Sequence, residues 1–288
     1  MGSLPPKLET PKASVVVPCF NSGSTIAKTI DSIRTQSYSN IEILIVDDGS
    51  EDFETLAILK TFSIQGIRVI RHQENLGLPA ARNSGFRAAT GLFVLFLDSD
   101  DWYAKEAMEV MIERALSSSQ PSFVFTDLIL EGQRSGILER SYRSFTQLMI
   151  NRIPCSILVS KNSFADDNLY DESLTLGLED WDFNLSLISK GFKPIRIGIP
   201  LFHYSVSSQG MLLSTTQKNF FSVWRQIRAK HDSLYSLRSI VRTLRLEISS
   251  FGLSSVFPGS IMLLLSIFPC DRLLSRVLGN FLLLKRRF

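Results

Sequence analysis

The sequence contains few cysteines and no uninterrupted apolar run as long as a membrane-spanning helix. Its three cysteines, Cys19, Cys155 and Cys270, are far apart, so no pair has metal-ligand spacing, and an odd number argues against a disulfide framework. We therefore expect a reduced, cytosolic setting. The apolar stretches 251–268 and 273–284 are interrupted or shorter than the roughly 20 residues that a span needs.

The N-terminal stretch MGSLPPKLETPKAS lacks the apolar segment of a secretory signal, and we expect none there. Low-complexity tracts and evident repeats are also missing, which leaves a globular class. With 288 residues, the chain is long enough for one large domain, or for one domain with an appendage.

Positive charge is scarce in the first three quarters of the chain and concentrated at its end. Residues 1–217 contain 19 Lys and Arg against 25 Asp and Glu, whereas residues 218–288 contain 12 against 3. Such a basic segment favours an anionic partner, either a membrane surface or nucleic acid. It has no recognisable nucleic-acid module, and its basic residues alternate with aliphatic runs, so we expect peripheral membrane contact and no nucleic acid. The alternative is a helical cap that packs on the rest of the chain or on a second copy in a homodimer.

Apolar strands alternate with amphipathic helices as far as about residue 130. The pattern predicts strands over 13–21, 41–48, 67–71, 92–98 and 122–130, and helices over 24–36, 52–62, 78–90 and 103–118. Since the strands are apolar on both faces, an α/β fold with a mostly parallel, doubly wound sheet is expected. Later residues are less regular: we expect a hairpin over 131–140, a helix over 177–191, a strand pair over 193–205, and helices from 217 onwards.

Carboxylates follow three of these predicted strands. They are Asp47 and Asp48 after the second strand, Asp98, Asp100 and Asp101 after the fourth, and Asp127 near the end of the fifth. Ligands of open parallel sheets bind outside the carboxyl ends of the strands. Carboxylates that converge there repel one another unless a cation or a hydrogen-bond donor lies between them. A divalent ion such as Mg²⁺ or Mn²⁺, carrying a diphosphate, would meet that need.

Five segments occur in an order that resembles glycosyltransferase family 2, whose GT-A fold enzymes use nucleotide sugars. These segments are VVVPCFN, IEILIVDDGS, ENLGLPAARNSGFRAATG, FLDSDD and LEDWDF, and the resemblance covers roughly residues 13–210. It implies a GT-A catalytic domain over 1–217, with a nucleotide-sugar half at about 13–130 and an acceptor half at about 131–217. A basic, amphipathic helical tail over 218–288 would follow as an appendage.

The activity that this resemblance implies is an inverting, metal-assisted glycosyl transfer of the kind used in polysaccharide biosynthesis. The donor would be a UDP or GDP sugar, and the acceptor a hydroxyl group of a glycan or a lipid-linked sugar. An enzyme of this kind would work at the inner face of the cell membrane. The cofactor would be Mn²⁺ or Mg²⁺.

The same resemblance assigns nucleotide contacts near the first two strands. Pro18 and Phe20 match a Pro-x-Tyr-Asn segment, with Phe20 in place of the usual Tyr, so the ring can pack beside the nucleotide without a phenolic hydrogen bond. Asp48 would face the base and accept a hydrogen bond from it, which suits uracil or guanine. The sequence Asp-Asp-Gly-Ser is also favourable in a turn, and both interpretations can hold together.

A third donor-binding segment resembles the motif N-x-G-x-x-x-A-R-N. It contains Asn75, Gly77, where a backbone can approach a ligand closely, and Arg82, which could reach the base or the diphosphate. The alternative for Arg82 is a solvated arginine on the outside of a helix.

The D-x-D sequence after the fourth strand implies the metal site. By resemblance, Asp98 contacts the ribose and Asp100 binds the metal, whereas Asp101 can instead begin the next helix. His203 lies where some relatives have a third metal ligand, although a structural histidine is the more common case. Ser205 stands where many relatives have an arginine that holds the leaving diphosphate.

Asp180 matches the general base of the family. An acceptor hydroxyl must lose its proton as it attacks the anomeric carbon, and a carboxylate within hydrogen-bond distance can accept it. Glu179 is the second choice. The adjacent Trp181 is either a platform for the acceptor sugar or an anchor in the core.

Two other classes remain as alternatives at this stage. A nucleotidyltransferase usually has a basic, glycine-rich loop after the first strand, but PCFNSGSTI contains no basic residue before Lys28. A catalytically inactive nucleotide-sugar-binding scaffold is the other alternative, and the intact D-x-D and Asp180 argue against it.

Overall fold

A computed structural model describes residues 10–161, 169–207 and 217–265. Its strands are β1 (Ala13–Cys19), β2 (Ile41–Asp47), β3 (Arg68–Arg71), β4 (Phe93–Phe96), β5 (Trp102–Tyr103), β6 (Ser122–Gly132), β7 (Gly136–Leu138), β8 (Leu158–Ser160) and β9 (Lys193–Val206). Its helices are α1 (Gly23–Arg34), α2 (Phe53–Ile64), α3 (Leu78–Ala88), α4 (Ala107–Leu116), α5 (Ser144–Met149), α6 (Glu179–Ser189), α7 (Gln217–Lys230), α8 (Leu237–Phe251) and α9 (Phe257–Leu265).

All nine strands belong to one mixed sheet. Their order is β3-β2-β1-β4-β8-β6-β9-β5, and β7 pairs with β6. Strands β1, β2, β3, β4, β6 and β9 run in one direction, whereas β5, β7 and β8 are antiparallel to their neighbours. The predicted α/β fold with a mostly parallel sheet is therefore confirmed.

Helices cover both faces of this sheet because the central strands are apolar on both sides. Along β1, Val15 and Val17 pack in a core with α1, α2 and α4, whereas Val16 packs in a second core with α3 and α6. All three valines are fully buried. The sheet is therefore the middle layer between two layers of helices.

The helices α7, α8 and α9 pack against the preceding part of the chain. Trp224 of α7 stacks on Trp181 of α6, with ring centroids 6.4 Å apart and planes at 7°. Trp181 is fully buried, and its Nε1 donates to the backbone oxygen of Gln147 at 2.8 Å. Of the two alternatives for Trp181, the structure therefore supports the core anchor.

Helix α8 is joined to α5 by a buried carboxylate. Glu247 accepts hydrogen bonds from the backbone N–H groups of Phe145 and Thr146, both at 2.9 Å, and from the hydroxyl of Thr146 at 2.6 Å. These donors lie in the first turn of α5, where backbone N–H groups have no partner inside the helix. The inner side of the basic segment is thus a cap on the protein, as in the packing alternative.

Two expectations on secondary structure need correction. The segment 193–205 is part of one long strand, β9, rather than a strand pair; its register against β6 shifts between Ile197 and Pro200. Asp101 does not begin a helix, because β5 follows it and α4 starts only at Ala107. The segment 273–284 and Cys270 lie outside the described residues, and within those residues no helix is long and apolar enough to cross a bilayer.

Candidate active site

The carboxyl ends of β1, β2 and β4 lie side by side, because these strands are parallel neighbours. Pro18 is buried within β1, whereas the ring of Phe20, just after the strand, is 44% exposed. Gly49 follows β2 with φ 76°, and a Cβ atom there would lie 2.6 Å from the backbone of Glu74. Only glycine fits so close to the loop before α3. The loop after β2 therefore packs closely against the loop before α3.

Asp48 organises the loop that leads into α3. Its two carboxylate oxygens accept hydrogen bonds from the backbone N–H groups of Leu76 at 3.0 Å and Gly77 at 2.8 Å, and Nδ1 of His72 lies 2.7 Å away. Gly77 caps α3 with φ 95°, and exposed Asn75 accepts from the same N–H at 3.0 Å. The predicted base contact of Asp48 would therefore be made by a carboxylate that already holds this loop in place.

Arg82 joins the end of β4 to the start of α6. Its side chain is only 1% exposed; Nη2 donates to Asp98 and Nη1 to Glu179, both at 2.7 Å. Burial alone would lower the pKa of Arg82, but Asp98 and Glu179 help to raise it well above its ordinary value. The alternative of a solvated helix arginine is wrong. Arg82 is a permanent buried charge between the two halves of the site.

An acidic group lies beside Asp98 at the end of β4. The ligating atoms of Asp98, Asp101 and Cys155 are all within 4.8 Å of one another. Asp101 is buried; its Oδ1 accepts from the backbone N–H of Ser205 at 2.8 Å, and its Oδ2 has no partner among the described residues. Burial and the charges of Asp100 and Asp98 raise the pKa of Asp101 well above its usual range.

The carboxylates of this group, unlike the Cys155 thiol, fit a hard divalent cation. Asp100 is exposed beside it, and desolvation by the surrounding protein together with the charge of Asp98 raises the pKa of Asp100 to about 6. Crowded carboxylates with raised pKa values and an unpaired oxygen gain stability when a cation is added. Carboxylate oxygens are the ligands that Mg²⁺ and Mn²⁺ prefer.

Neither of the predicted metal ligands, Asp100 and His203, is a member of this group, and the strand-end acid Asp127 also lies apart from it. His203 places Nδ1 2.7 Å from Glu131, and its ring stacks on Trp102 with centroids 5.2 Å apart; among the described residues it belongs to no group of three candidate ligands. Asp127 is buried and paired with Arg196, whose Nε lies 2.7 Å from its Oδ1. His203 thus contacts residues on β6 and β5, and Asp127 is paired with a residue on β9. The sequence could not reveal these contacts.

The two acidic residues at the start of α6 have different environments. Glu179 is buried and accepts from Arg82, so its negative charge is compensated. Asp180 is partly exposed and has no cationic partner at hydrogen-bond distance among the described residues. The backbone before them is held in the left-handed region at Leu178, with φ 65°. Such strain at a non-glycine residue is typical of positions where the fold fixes a functional side chain.

Asp180 is oriented by two neutral donors. The side-chain amide of Asn151 donates to Oδ2 at 2.9 Å, and the backbone N–H of Trp181 donates to Oδ1 at 2.7 Å. Burial and the charge of Glu179 raise the pKa of Asp180 to about 7. A fixed carboxylate with a pKa near neutrality can act as a general base. Of the two acids, the geometry favours Asp180.

Sequence reasoning missed Cys155 and Arg140, which both lie near these acids. Burial, Asp98 and Asp101 raise the pKa of the Cys155 thiol well above its usual value. Burial lowers the pKa of Arg140, and the opposing influences include Tyr204, Cys155 and Asp180. Neither residue belongs to a pattern: a single cysteine in PCS and an arginine in LER carry no signal.

Comparison with known proteins gives a family match and several relatives. The model of "Glycosyl transferase family 2" matches residues 14–158. The chain is 43% identical over 104 residues to "Glycosyltransferase GlyA" of Streptococcus pneumoniae, a match that covers 36% of this chain and only 15% of that protein. It is 27% identical over 198 residues to the Escherichia coli protein "UDP-Glc:alpha-D-GlcNAc-diphosphoundecaprenol beta-1,3-glucosyltransferase WfaP", covering 67% of this chain and 76% of that protein.

Solved structures have the same fold. TarS of Staphylococcus aureus in complex with UDP-GlcNAc superposes with a TM-score of 0.65 at 20% identity, over 85% of this chain and 75% of that one. The mannosyltransferase PcManGT of Pyrobaculum calidifontis, in complex with GDP-Man and Mn²⁺, gives a TM-score of 0.61 at 15% identity, over 93% and 84%. At these identities the likeness establishes the GT-A fold alone.

Proposed function

Since the chain belongs to glycosyltransferase family 2, we propose that it transfers a sugar from a nucleoside-diphosphate sugar to a hydroxyl group of a glycan or lipid-linked acceptor, with inversion. The observation that carries this proposal is the contrast between Glu179, which is paired with Arg82, and Asp180, which is held by neutral donors with a pKa of about 7. TarS and PcManGT were solved with UDP-GlcNAc and GDP-Man, so a UDP or GDP sugar is the donor we expect.

The nucleotide side of the site would be formed by the strand ends. The exposed ring of Phe20 would pack beside the nucleotide, and the loop fixed by Asp48 would line it. Asp98 and Asp100, beside buried Asp101, would hold Mn²⁺ or Mg²⁺. When bound there, the ion neutralises charge on the departing nucleoside diphosphate.

Asp180 would perform the proton transfer. The acceptor hydroxyl gives its proton to the Asp180 carboxylate while its oxygen attacks the anomeric carbon, and the bond from that carbon to the diphosphate oxygen breaks. A single displacement of this kind inverts the anomeric centre. Asn151 and the N–H of Trp181 keep the carboxylate oriented, so the lone pair that accepts the proton is fixed before the acceptor arrives.

The outer face of α8 supports contact with an anionic membrane surface. Leu237 and Leu246 are 79% and 53% exposed, and they line one surface groove together with Arg238, Arg242 and Arg245. Exposed apolar residues among arginines, on a helix whose inner side is packed, are typical of interfacial helices. Each basic residue near an anionic leaflet contributes roughly 1 kcal/mol of binding. A lipid-linked acceptor would be found at such a surface.

The proposal is tested by a panel of UDP and GDP sugars incubated with Mn²⁺, alone and with sugar hydroxyl acceptors. We expect release of UDP or GDP from one donor, faster with acceptor, and loss of that release in Asp180→Asn. Binding of a donor without any nucleotide release would instead favour an inactive scaffold. Release of pyrophosphate from a nucleoside triphosphate would favour a nucleotidyltransferase.

A further inference from the structure

Three arginines form a row between Asp180 and the C-terminal helices. We call Arg140, Arg152 and Arg143 the arginine row. Arg140 lies within electrostatic reach of Asp180 and Cys155. Arg143 contacts the C-terminal helices, since its Nη1 donates to the backbone oxygen of Ser255 at 3.3 Å and its guanidinium lies 5.4 Å from the ring of Phe251.

Arg152 occupies the middle of this row. Burial and the positive charges of Arg140 and Arg143 lower its pKa to about 10. Its Nη2 reaches only the hydroxyl of Ser141, at 3.4 Å. Arg152 is therefore close enough to Arg140 and to Arg143 to be repelled by both, in a partly buried position.

The row has no anionic partner among the described residues. None of its members forms an ion pair there, and the Nε atom of each is buried without a hydrogen-bond partner. Of the nearby carboxylates, Asp127 pairs with Arg196 and Glu247 caps α5. Within the described part of the chain, Asp180 accepts only from neutral donors and forms no ion pair with Arg140. Buried charges are normally paired, so uncompensated arginines indicate a missing anion.

We propose that the arginine row binds the diphosphate that links the acceptor sugar to its lipid. The inference rests on the proposed function and names the acceptor's chemistry. A guanidinium group offers a planar pair of N–H donors that matches phosphate oxygens. Arg140 would hold the phosphate next to the sugar near Asp180, and Arg143 the phosphate next to the lipid.

Because Arg143 contacts the C-terminal helices, the end of the row that we assign to the lipid lies beside α8 and α9. Beyond Arg143 the surface carries large exposed apolar side chains: Phe251, Leu253 and Phe257. An acceptor whose sugar lies at Asp180 would therefore place its diphosphate on the arginines and its hydrocarbon on this apolar surface. WfaP is named for an acceptor of this chemistry, a sugar attached to diphosphoundecaprenol.

The nucleotide-sugar donor also contains a diphosphate, so the arginine row could bind the donor instead. Ser205 stands where an arginine for the leaving diphosphate was expected, and Arg140 could replace that arginine. Arg140 lies close to Cys155 of the acidic group, so its position alone does not separate the two sources. We favour the acceptor because Arg143 contacts Ser255 and Phe251 of the C-terminal helices, beside exposed apolar side chains that suit a lipid and not a nucleotide. The experiment must separate these two sources.

The probe is geranyl diphosphate, with geranyl monophosphate and geraniol for comparison. Binding to the full chain is measured by calorimetry in metal-free buffer, so that a divalent ion at Asp98 and Asp100 cannot capture the diphosphate. We expect the diphosphate to bind more tightly than the monophosphate, and Arg140→Gln and Arg152→Gln each to weaken it about tenfold, as expected for loss of one charge-assisted hydrogen bond. Arg114→Gln, an exposed arginine on α4, removes the same charge and should change nothing.

Affinity for UDP and GDP with Mn²⁺ is measured on the same variants. It should stay unchanged if the row serves the acceptor. Weaker UDP or GDP binding, with geranyl diphosphate binding unchanged, would assign the row to the donor and overturn the inference. Equal affinity of wild type and variants for geranyl diphosphate, or no binding by wild type, overturns it as well.

Thermal melting completes the test. Removing one arginine relieves repulsion, so Arg140→Gln and Arg152→Gln should melt no lower than wild type. A large drop in melting temperature would mean that the row is structural, which contradicts the inference. Failure here is distinguishable from failure of the proposed function, because nucleotide-sugar binding and nucleotide release are measured separately from geranyl diphosphate binding.

Discussion

The nucleotide side and the acceptor side of the site differ in how their charged side chains are paired. On the nucleotide side, three carboxylates have basic partners within the protein: Asp47 with Arg71, Asp48 with His72, and Asp98 with Arg82. The exception there is Asp101, one oxygen of which has no partner among the described residues. On the acceptor side, Asp180 has only neutral donors, and Arg140 and Arg152 have no carboxylate partner among the described residues. Apart from the proposed cation position, the nucleotide side is organised by pairs within the protein, whereas the acceptor side has charges that, by our proposal, a ligand would complete.

The largest effect should come from the acceptor side. Asp180→Asn keeps the shape of the side chain but removes its ability to accept a proton, so we expect turnover to fall roughly 10²–10⁴-fold. Donor affinity, measured by calorimetry with UDP or GDP sugars, should not change.

Glu179→Gln is the matched control on the adjacent position. It weakens the bond to Arg82, and we expect a lower melting temperature together with a smaller loss of turnover. The assignment is wrong if Asp180→Asn is near wild type while Glu179→Gln is inactive.

The next effect concerns the nucleotide side. In Asp100→Ala we expect Mn²⁺ no longer to increase donor affinity, because a ligand of the ion is lost while the Asp98–Arg82 pair remains. Calorimetry with and without Mn²⁺ measures this, and Glu113→Ala on the exposed side of α4 is the control. Unchanged metal dependence would place the metal elsewhere.

A third prediction uses pH. Because the pKa of Asp180 is raised to about 7, the carboxylate is protonated below that pH and cannot accept a further proton. We expect kcat to fall about tenfold per pH unit below that range and to level off above it. Initial rates measured between pH 5 and 9 test for this decrease of kcat at acidic pH. A profile without an acid limb in this range would contradict the assignment.

The smallest effect should be on membrane binding. Leu246→Asp places a negative charge on the exposed face of α8, and we expect a several-fold smaller fraction of protein to float with vesicles of equal phosphatidylglycerol and phosphatidylcholine. Flotation of wild type should decrease at high salt. The matched control, Ile64→Asp, changes an exposed apolar residue on α2. A wild-type protein that stays at the bottom of the gradient as a dimer would show that this face mediates assembly.

The sequence was sufficient for the regular part of the fold. The long apolar strands β1, β2 and β6 and the helices α3 and α6 have strong periodic patterns, and they were predicted within a few residues. Strand β8 and helix α5 were missed because three and six residues carry no period that can be recognised.

The candidate site was predictable only where motifs exist. Asp98, Asp100 and Asp180 were predicted from the motifs in their segments, and their roles stay predictions. The bond between Arg82 and Glu179 joins residues 97 positions apart, and no local pattern announces it. The arginine row could not be predicted for the same reason, because its members come together through tertiary packing of short segments.

Glu247 has a mechanical consequence. It is one of three acidic residues after position 217, yet both of its oxygens bind the first turn of α5 instead of a neighbouring arginine. Helix α8 and the segment that carries Arg143 are therefore joined by buried hydrogen bonds. If the outer face of α8 binds a bilayer as proposed, this link would hold the arginine row at a fixed height above it. The protein would then act as a ruler that selects acceptors by the distance between the bilayer and the reacting hydroxyl.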